Sequence, residues 1–311
     1  MHEAALVVLE VVAPIFAIIL MGYLAARRRW IQEAGFAGMN AFAFSLAAPA
    51  LLFTAGTAGH TGGGLAALAF FLGCGVLYAF TLWGAGRVGI PLGAANALGL
   101  NVTFGNTVMM GIPLVAAAFG QAGLSVLLAI LALHAMLLLG VGTVVAELAQ
   151  NNGARPLMLL RSTLAGVARN PVVMAVFLAL IWSSLGLPVP AAARTTLEML
   201  GAATPPLALF CLGASLTGFA AAGLWAQTGV MVVLKLAALP LLVWGFCRLL
   251  GVSEFETSVA VLTAALPTGA NAFLLARRYA TGADGSGAAV LISTVLSVVT
   301  LSALLTLFRA G

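Results

Sequence analysis

The chain is 311 residues long, 63% hydrophobic and 7% charged, with a net charge of +5 at pH 7, whereas an average soluble domain is about a quarter charged. At a mean hydropathy of +1.16 a soluble globule would leave much of its apolar surface in water, and a disordered chain is excluded by the same figures. Such a sequence is an all-α integral membrane protein, its arginines sit at helix ends and carry topology, and the partner it implies is the lipid bilayer rather than nucleic acid.

A spanning helix needs about 20 apolar residues, and that ruler finds ten transmembrane segments in chain order. The first covers residues 4–26. It begins beside the acidic Glu3 and is followed by Arg27, Arg28 and Arg29, so it is expected to be a retained helix rather than a signal peptide. The others of the first half cover 36–57, 65–86, 93–119 and 124–147. A polar linker at 150–169 precedes segments at 171–187, 195–219, 224–250, 256–279 and 286–308.

Orientation follows from the bases in the short loops. Arg27, Arg28, Arg29, Arg87, Arg155, Arg161, Arg169, Arg277 and Arg278 fall on one side, and Arg194, Arg248 and Arg309 on the other. Lys235 lies inside a segment and does not vote. Both termini are therefore expected outside, with the linker in the cytoplasm. Five segments and then five of opposite starting side make an inverted repeat of residues 1–149 and 170–311. Two echoes support it: Pro49-Ala-Leu-Leu-Phe53 returns as Pro206-Leu-Ala-Leu-Phe210, and Thr103-Phe-Gly-Asn106 returns as Thr268-Gly-Ala-Asn271.

The fourth and ninth segments each carry a helix breaker, glycine, threonine and asparagine close together: Asn101 to Pro113, and Leu266 to Asn271 with Pro267. In lipid a broken helix survives only where it touches protein or lines a cavity. Prolines taken singly, at Pro14, Pro49, Pro206 and Pro240, read as ordinary kinks. Interrupted helices present N-termini with unpaired N–H groups, each worth about half a positive charge, so a carboxylate can be held without a buried base. Asn106 and Asn271 add amide donors, Thr103 and Thr268 can donate hydroxyls or repair freed carbonyls, and Gly105 and Gly269 are candidate substrate-binding positions beside them. The same amides can ligate a cation, although a sodium site usually draws on carboxylates, of which this chain has few.

Ionisable residues within the segments are Glu10, His134, Lys235 and Glu147. His134 is a candidate proton relay or a satisfied core histidine. Lys235 either compensates substrate charge or snorkels to the interface. Cys74, Cys211 and Cys247 lie in apolar runs without CxxC or CxxH spacing, so no metal site and no disulfide is expected. No HExxH motif, aspartate pair or nucleotide-binding loop occurs, which argues against an enzyme and against ATP hydrolysis. No cofactor is expected.

The motifs together resemble the auxin efflux carrier family in its short bacterial form, which includes malonate carriers and is similar to the membrane part of plant auxin exporters. The resemblance rests on Pro14, Gly22-Tyr-Leu-Ala-Ala-Arg-Arg28, Asn40 with Pro49-Ala-Leu-Leu-Phe53, Asn106 to Pro113, and Leu266-Pro-Thr-Gly-Ala-Asn271. It implies ten helices as a five-plus-five inverted repeat with two crossed broken helices, and a homodimer. It also implies a scaffold of helices 1, 2, 6 and 7, against which helices 3–5 and 8–10 move as a transport domain in an elevator cycle. Substrate contacts would fall on Asn106 and Asn271 with the neighbouring backbone. The plant proteins use an acidic residue in the third helix; none occurs at 65–86 here, and His134 and Lys235 are the candidates to replace it.

The expected function is secondary active transport of small organic anions, mono- or dicarboxylates, across a bacterial inner membrane. Substrate would lie at the crossover, with Asn101 nearby and Asn40, Ser45 and Phe210 as wall residues. The coupling ion, sodium or proton, is open. Alternatives are a sodium- or proton-coupled symporter or antiporter of the same crossed-helix class with another substrate, a channel, or an intramembrane enzyme.

Overall fold

A computed structural model describes residues 8–58, 63–150, 169–219 and 225–310. Glu3, His2, His60, Arg155, Arg161 and most of the expected linker lie outside the described residues. Every regular element among them is helical. In chain order these are α1 (Ala13–Arg27), α2 (Glu33–Phe42), α3 (Ala48–Gly56), α4 (Gly64–Arg87), α5 (Leu92–Thr103), α6 (Ile112–Ala149) and α7 (Pro171–Ser184). They continue as α8 (Ala191–Gly201), α9 (Thr204–Ser215), α10 (Trp225–Val233), α11 (Leu239–Leu249), α12 (Glu254–Ala264), α13 (Ala270–Arg278) and α14 (Ala283–Ala310).

Several of the expected kinks have a definite form. Pro14, Pro49, Pro113 and Pro240 each follow a wide π-helical turn, at Val8–Val12, Ala43–Ala47, Thr107–Gly111 and Leu234–Ala238. A proline ring collides with the carbonyl four residues back and offers no N–H, and one extra residue in the turn relieves both faults. Pro206 differs, because it lies in the first turn of α9, where a missing N–H costs nothing.

Seven helical runs among the described residues are long and apolar enough to cross a membrane, and Pro171–Ser184 is apolar but shorter. One run, Thr107–Ala149, holds 43 residues, which as a single rod would reach roughly 65 Å, about twice the hydrocarbon thickness. It is divided at Gly120, whose φ of 61° and ψ of −152° leave the helical region.

Helix packing includes two sets of close pairs, joined by contacts of α6 and the turn Thr107–Gly111 with α3, α7 and α9. α9 lies on α1 and α2, and α3 lies on α7 and α8. α4 packs on α5 and α11, α12 on α11 and α6, and α14 on α10 and α13. The tightest meeting is between α1 and α9. A Cβ placed on Gly213 would fall on the Ile19 carbonyl, and one on Gly22 would fall on that of Phe210. Small residues that let backbones touch are how helices associate in lipid, where no hydrophobic drive acts between them.

Candidate functional site

The break in the first half is at Phe104–Asn106, between α5 and the turn Thr107–Gly111; Pro113 stands beyond it, within continuing helix. The break in the second half lies between Ala264 and Ala270 and contains Pro267. The two breaks lie against each other. Asn106 N–H donates to the Pro267 carbonyl at 2.8 Å, and Gly269 N–H donates to the Phe104 carbonyl at 2.9 Å. They form a short antiparallel bridge centred on Gly105 and Thr268. Backbone groups freed by breaking two helices are thus satisfied by one another.

The surrounding polar residues divide by role. Asn101 donates to Ser286 Oγ and to the Ala97 carbonyl, both at 2.7 Å. Thr268 donates its hydroxyl to the Asn101 carbonyl at 2.9 Å, and its N–H goes to Ser293 Oγ at 3.0 Å. Thr103 returns its hydroxyl to the Gly99 carbonyl at 2.8 Å. These three side chains bind the breaks to α5 and α14, and none lines the adjoining cavity. Gly269 is required for the approach, since a Cβ there would stand 2.9 Å from the Gly105 oxygen.

Lys235 reaches the same place from the wide turn between α10 and α11. It is fully buried, and its Nζ donates to the Ala264 carbonyl at 2.7 Å. Ala264 is the last residue of α12, where the helix dipole is negative, so the ammonium caps that end. It does not snorkel. A Cβ on Gly105 would lie 3.4 Å from Nζ, which places the cation directly behind the bridge.

On the other side of the bridge is a cavity of about 1120 Å³, lined by Gly105, Asn106, Gly269, Asn271, His134 and Asn40 among others. Asn106 and Asn271 are therefore brought to one space, with the starts of two helices, at Thr107 and Ala270, beside them. N–H groups in a first helical turn have no partner within the helix. Asn106 Nδ2 is buried without a hydrogen-bond partner, and so is His134 Nε2. The His134 ring sits 4.5 Å from that of Phe104, with Nδ1 3.4 Å from Thr107 Oγ1. Ser45 is exposed and does not line the cavity, although its neighbour Phe44 does. Phe210 is also outside the lining but stacks at 5.7 Å on Phe36, which is part of it.

Among the lining residues that sequence reasoning did not single out are Arg29, Glu33, Thr107 and Asn170. Asn170 carried a legible signal, an asparagine before a proline-led helix, and its Oδ1 accepts from Val172 and Val173 N–H. No group of three histidine, cysteine or acidic residues that could hold a metal occurs among the described residues.

A multi-pass helical membrane protein with two broken helices bridged over a cavity of helix starts and amides has the form of a transporter. The chain belongs to a family described as "Membrane transport protein", whose sequence model matches residues 7–305; this is the auxin efflux carrier family that its motifs resemble. It is 27% identical over 307 residues, 96% of this chain and 95% of the other, to a protein of Rhizobium meliloti (strain 1021) named "Putative malonate transporter".

Proposed function

We propose that the chain is a secondary carrier of small organic anions, mono- or dicarboxylates, that works by elevator-type alternating access in a bacterial inner membrane. The observation that carries this reading is the buried Asn106 amide, without a partner, where two helix starts open on one cavity. A buried donor left unpaired costs about 1–3 kcal/mol, a deficit that an incoming carboxylate removes. Asn271, Gly105 and Gly269 complete the site, and Lys235 and His134 stand for the missing acid of the third helix. The name of the Rhizobium protein supports a carboxylate, with malonate as the first probe.

Ten passes are supported by dividing the run at Gly120 and adding Pro171–Ser184 and the broken pair α12 and α13. The scaffold then comprises α1, α2–α3, α7 and α8–α9, and the remaining helices form the transport domain; the close packing of α9 on α1 and α2, and of α3 on α7 and α8, supports the first of these. The inverted repeat, outward termini and homodimer complete the proposal. Purified protein in liposomes should take up radiolabelled malonate, succinate or lactate, with imposed sodium and proton gradients deciding the coupling ion. Asn106→Ala and Asn271→Ala should each lower flux about tenfold, equivalent to one lost hydrogen bond to a charged group. Unchanged flux in both variants, or no uptake of any carboxylate or of indole-acetate by the natural chain, would sink the assignment.

A further inference from the structure

The end of α1 holds an arginine where the turn calls for glycine. Trp30 N–H reaches back to the Ala25 carbonyl at 2.9 Å, and Arg29 N–H to that of Ala26 at 3.1 Å. This hydrogen-bond pair closes a helix through one left-handed residue, usually glycine. Arg29 takes that position with a φ of 56°. Elsewhere the chain closes the same turn with Gly89 and Gly251, at φ of 78° and 66°. Ala280, at 52°, shows that the fold tolerates a side chain in this conformation, so the strain alone assigns no role.

The place to which the arginine goes supplies the second observation. Of the three consecutive arginines, only Arg29 lines the cavity that holds Asn106 and Asn271. Arg27 donates instead to Tyr23 Oη at 2.8 Å. Arg29 is exposed and, among the described residues, has no carboxylate within ion-pair distance. The acidic residue lining the same cavity is Glu33, at the start of α2.

We propose that Arg29 is an outer carboxylate-binding residue, which captures the anion at the cavity mouth before it reaches the amides of the bridge. This rests on the cavity being the substrate site. A guanidinium presents a planar fork of donors that matches a carboxylate, and at an exposed position its attraction is screened by salt. A glycine would close the turn with less strain, so the side chain is kept at a cost to stability. Glu33 acts in the opposite sense by repelling the same ligand.

The test is malonate uptake by Arg29→Gly in inside-out liposomes, with the cytoplasmic end of α1 facing the bath, at low and high ionic strength, with thermal stability measured in parallel. Arg28→Gly removes the same charge from the same loop and serves as the control. Arg29→Gly is expected to raise KM about fivefold at low salt, with the difference shrinking in 0.5 M salt to roughly twofold or less. Its melting temperature should rise by about 2 °C. Arg29→Lys should keep most of the affinity, Glu33→Gln should lower KM, and Arg28→Gly should leave KM unchanged. If Arg29→Gly and Arg28→Gly have the same KM at low salt, or if Arg29→Gly melts lower than the natural chain, the inference is overturned. Should the glycine variant fail to accumulate, Arg29→Gln, which keeps a polar side chain without the charge, is expected to raise KM to the same extent, and a natural KM in that variant overturns the inference equally. Absence of carboxylate uptake by the natural chain would refute the substrate site itself, a different failure from equal KM values.

Discussion

Replacing Gly269 by alanine would put a methyl group 2.8 Å from Phe104 Cδ1 and 2.9 Å from the Gly105 oxygen. Comfortable carbon contacts begin near 3.5 Å, so the shortfall against the ring is about 0.7 Å. The ring cannot simply swing aside, because Phe104 is 4% exposed and packs on His134. The oxygen is backbone. Relief therefore requires the two breaks to part by about half an ångström, which stretches the 2.8 and 2.9 Å bridge bonds toward the limit of useful hydrogen bonding. Overpacking costs about 1–3 kcal/mol, and each weakened bond adds up to about 1 kcal/mol. Because the same movement shifts Asn106 relative to Asn271, malonate uptake by Gly269→Ala should show a KM raised about tenfold or more. The melting temperature, followed by tryptophan fluorescence, should fall. Gly75, where a Cβ would meet nothing within 4 Å, provides the control, since Gly75→Ala should be neutral or slightly stabilising. A Gly269→Ala protein with natural KM and melting temperature would refute the account of the bridge.

Gly213→Ala should sharply reduce the yield of monodisperse protein in detergent, because α1 and α9 would have to separate; equal yield to Gly218→Ala, where a Cβ meets nothing within 4 Å, would contradict this. Lys235→Met removes a hydrogen bond from a charged donor, worth about 1.5–3 kcal/mol, and also the desolvation cost of a buried ammonium, several kcal/mol. The second effect is the larger, so stability should hold or rise while malonate flux falls about tenfold for want of a cation at the end of α12; flux within twofold of the natural chain would refute that role. Tyr78→Phe removes the 2.6 Å bond to Asn96 Oδ1 and should lower the melting temperature by about 2–4 °C with malonate KM unchanged, since neither residue lines the cavity.

Both breaks could be read from the sequence because Asn, Gly, Thr and Pro interrupt otherwise apolar runs, and the echo of Thr103-Phe-Gly-Asn106 in Thr268-Gly-Ala-Asn271 pointed to the two asparagines that line one cavity. The sequence did not separate Asn106, Asn271 and Asn40, which line the cavity, from the polar residues that do not. Thr103 and Asn101 lie on helix turns whose rotation is set by packing, and neither turns toward the cavity: Asn101 reaches across to Ser286, and Thr103 bonds back to its own helix. Pro113 looked like the cause of the interruption, yet the break precedes it and the wide turn Thr107–Gly111 absorbs it. The partner of Lys235 is a carbonyl 29 residues away, with no local pattern to point to it. Arg29 was visible only as a contribution to topology, since nothing in three consecutive arginines separates the one that lines the cavity.

The glycine contact between α1 and α9 bears on how the protein is made. α1 enters the membrane early in synthesis, and α9 only after most of the chain has been translated. At about 5–20 residues per second, α1 waits on the order of ten to forty seconds for the backbone it must touch. During that wait a groove shaped for another helix is open to lipid and to other chains. A truncated product ending before Gly213 would keep that groove exposed, and quality-control proteases of the membrane could recognise it as unfinished.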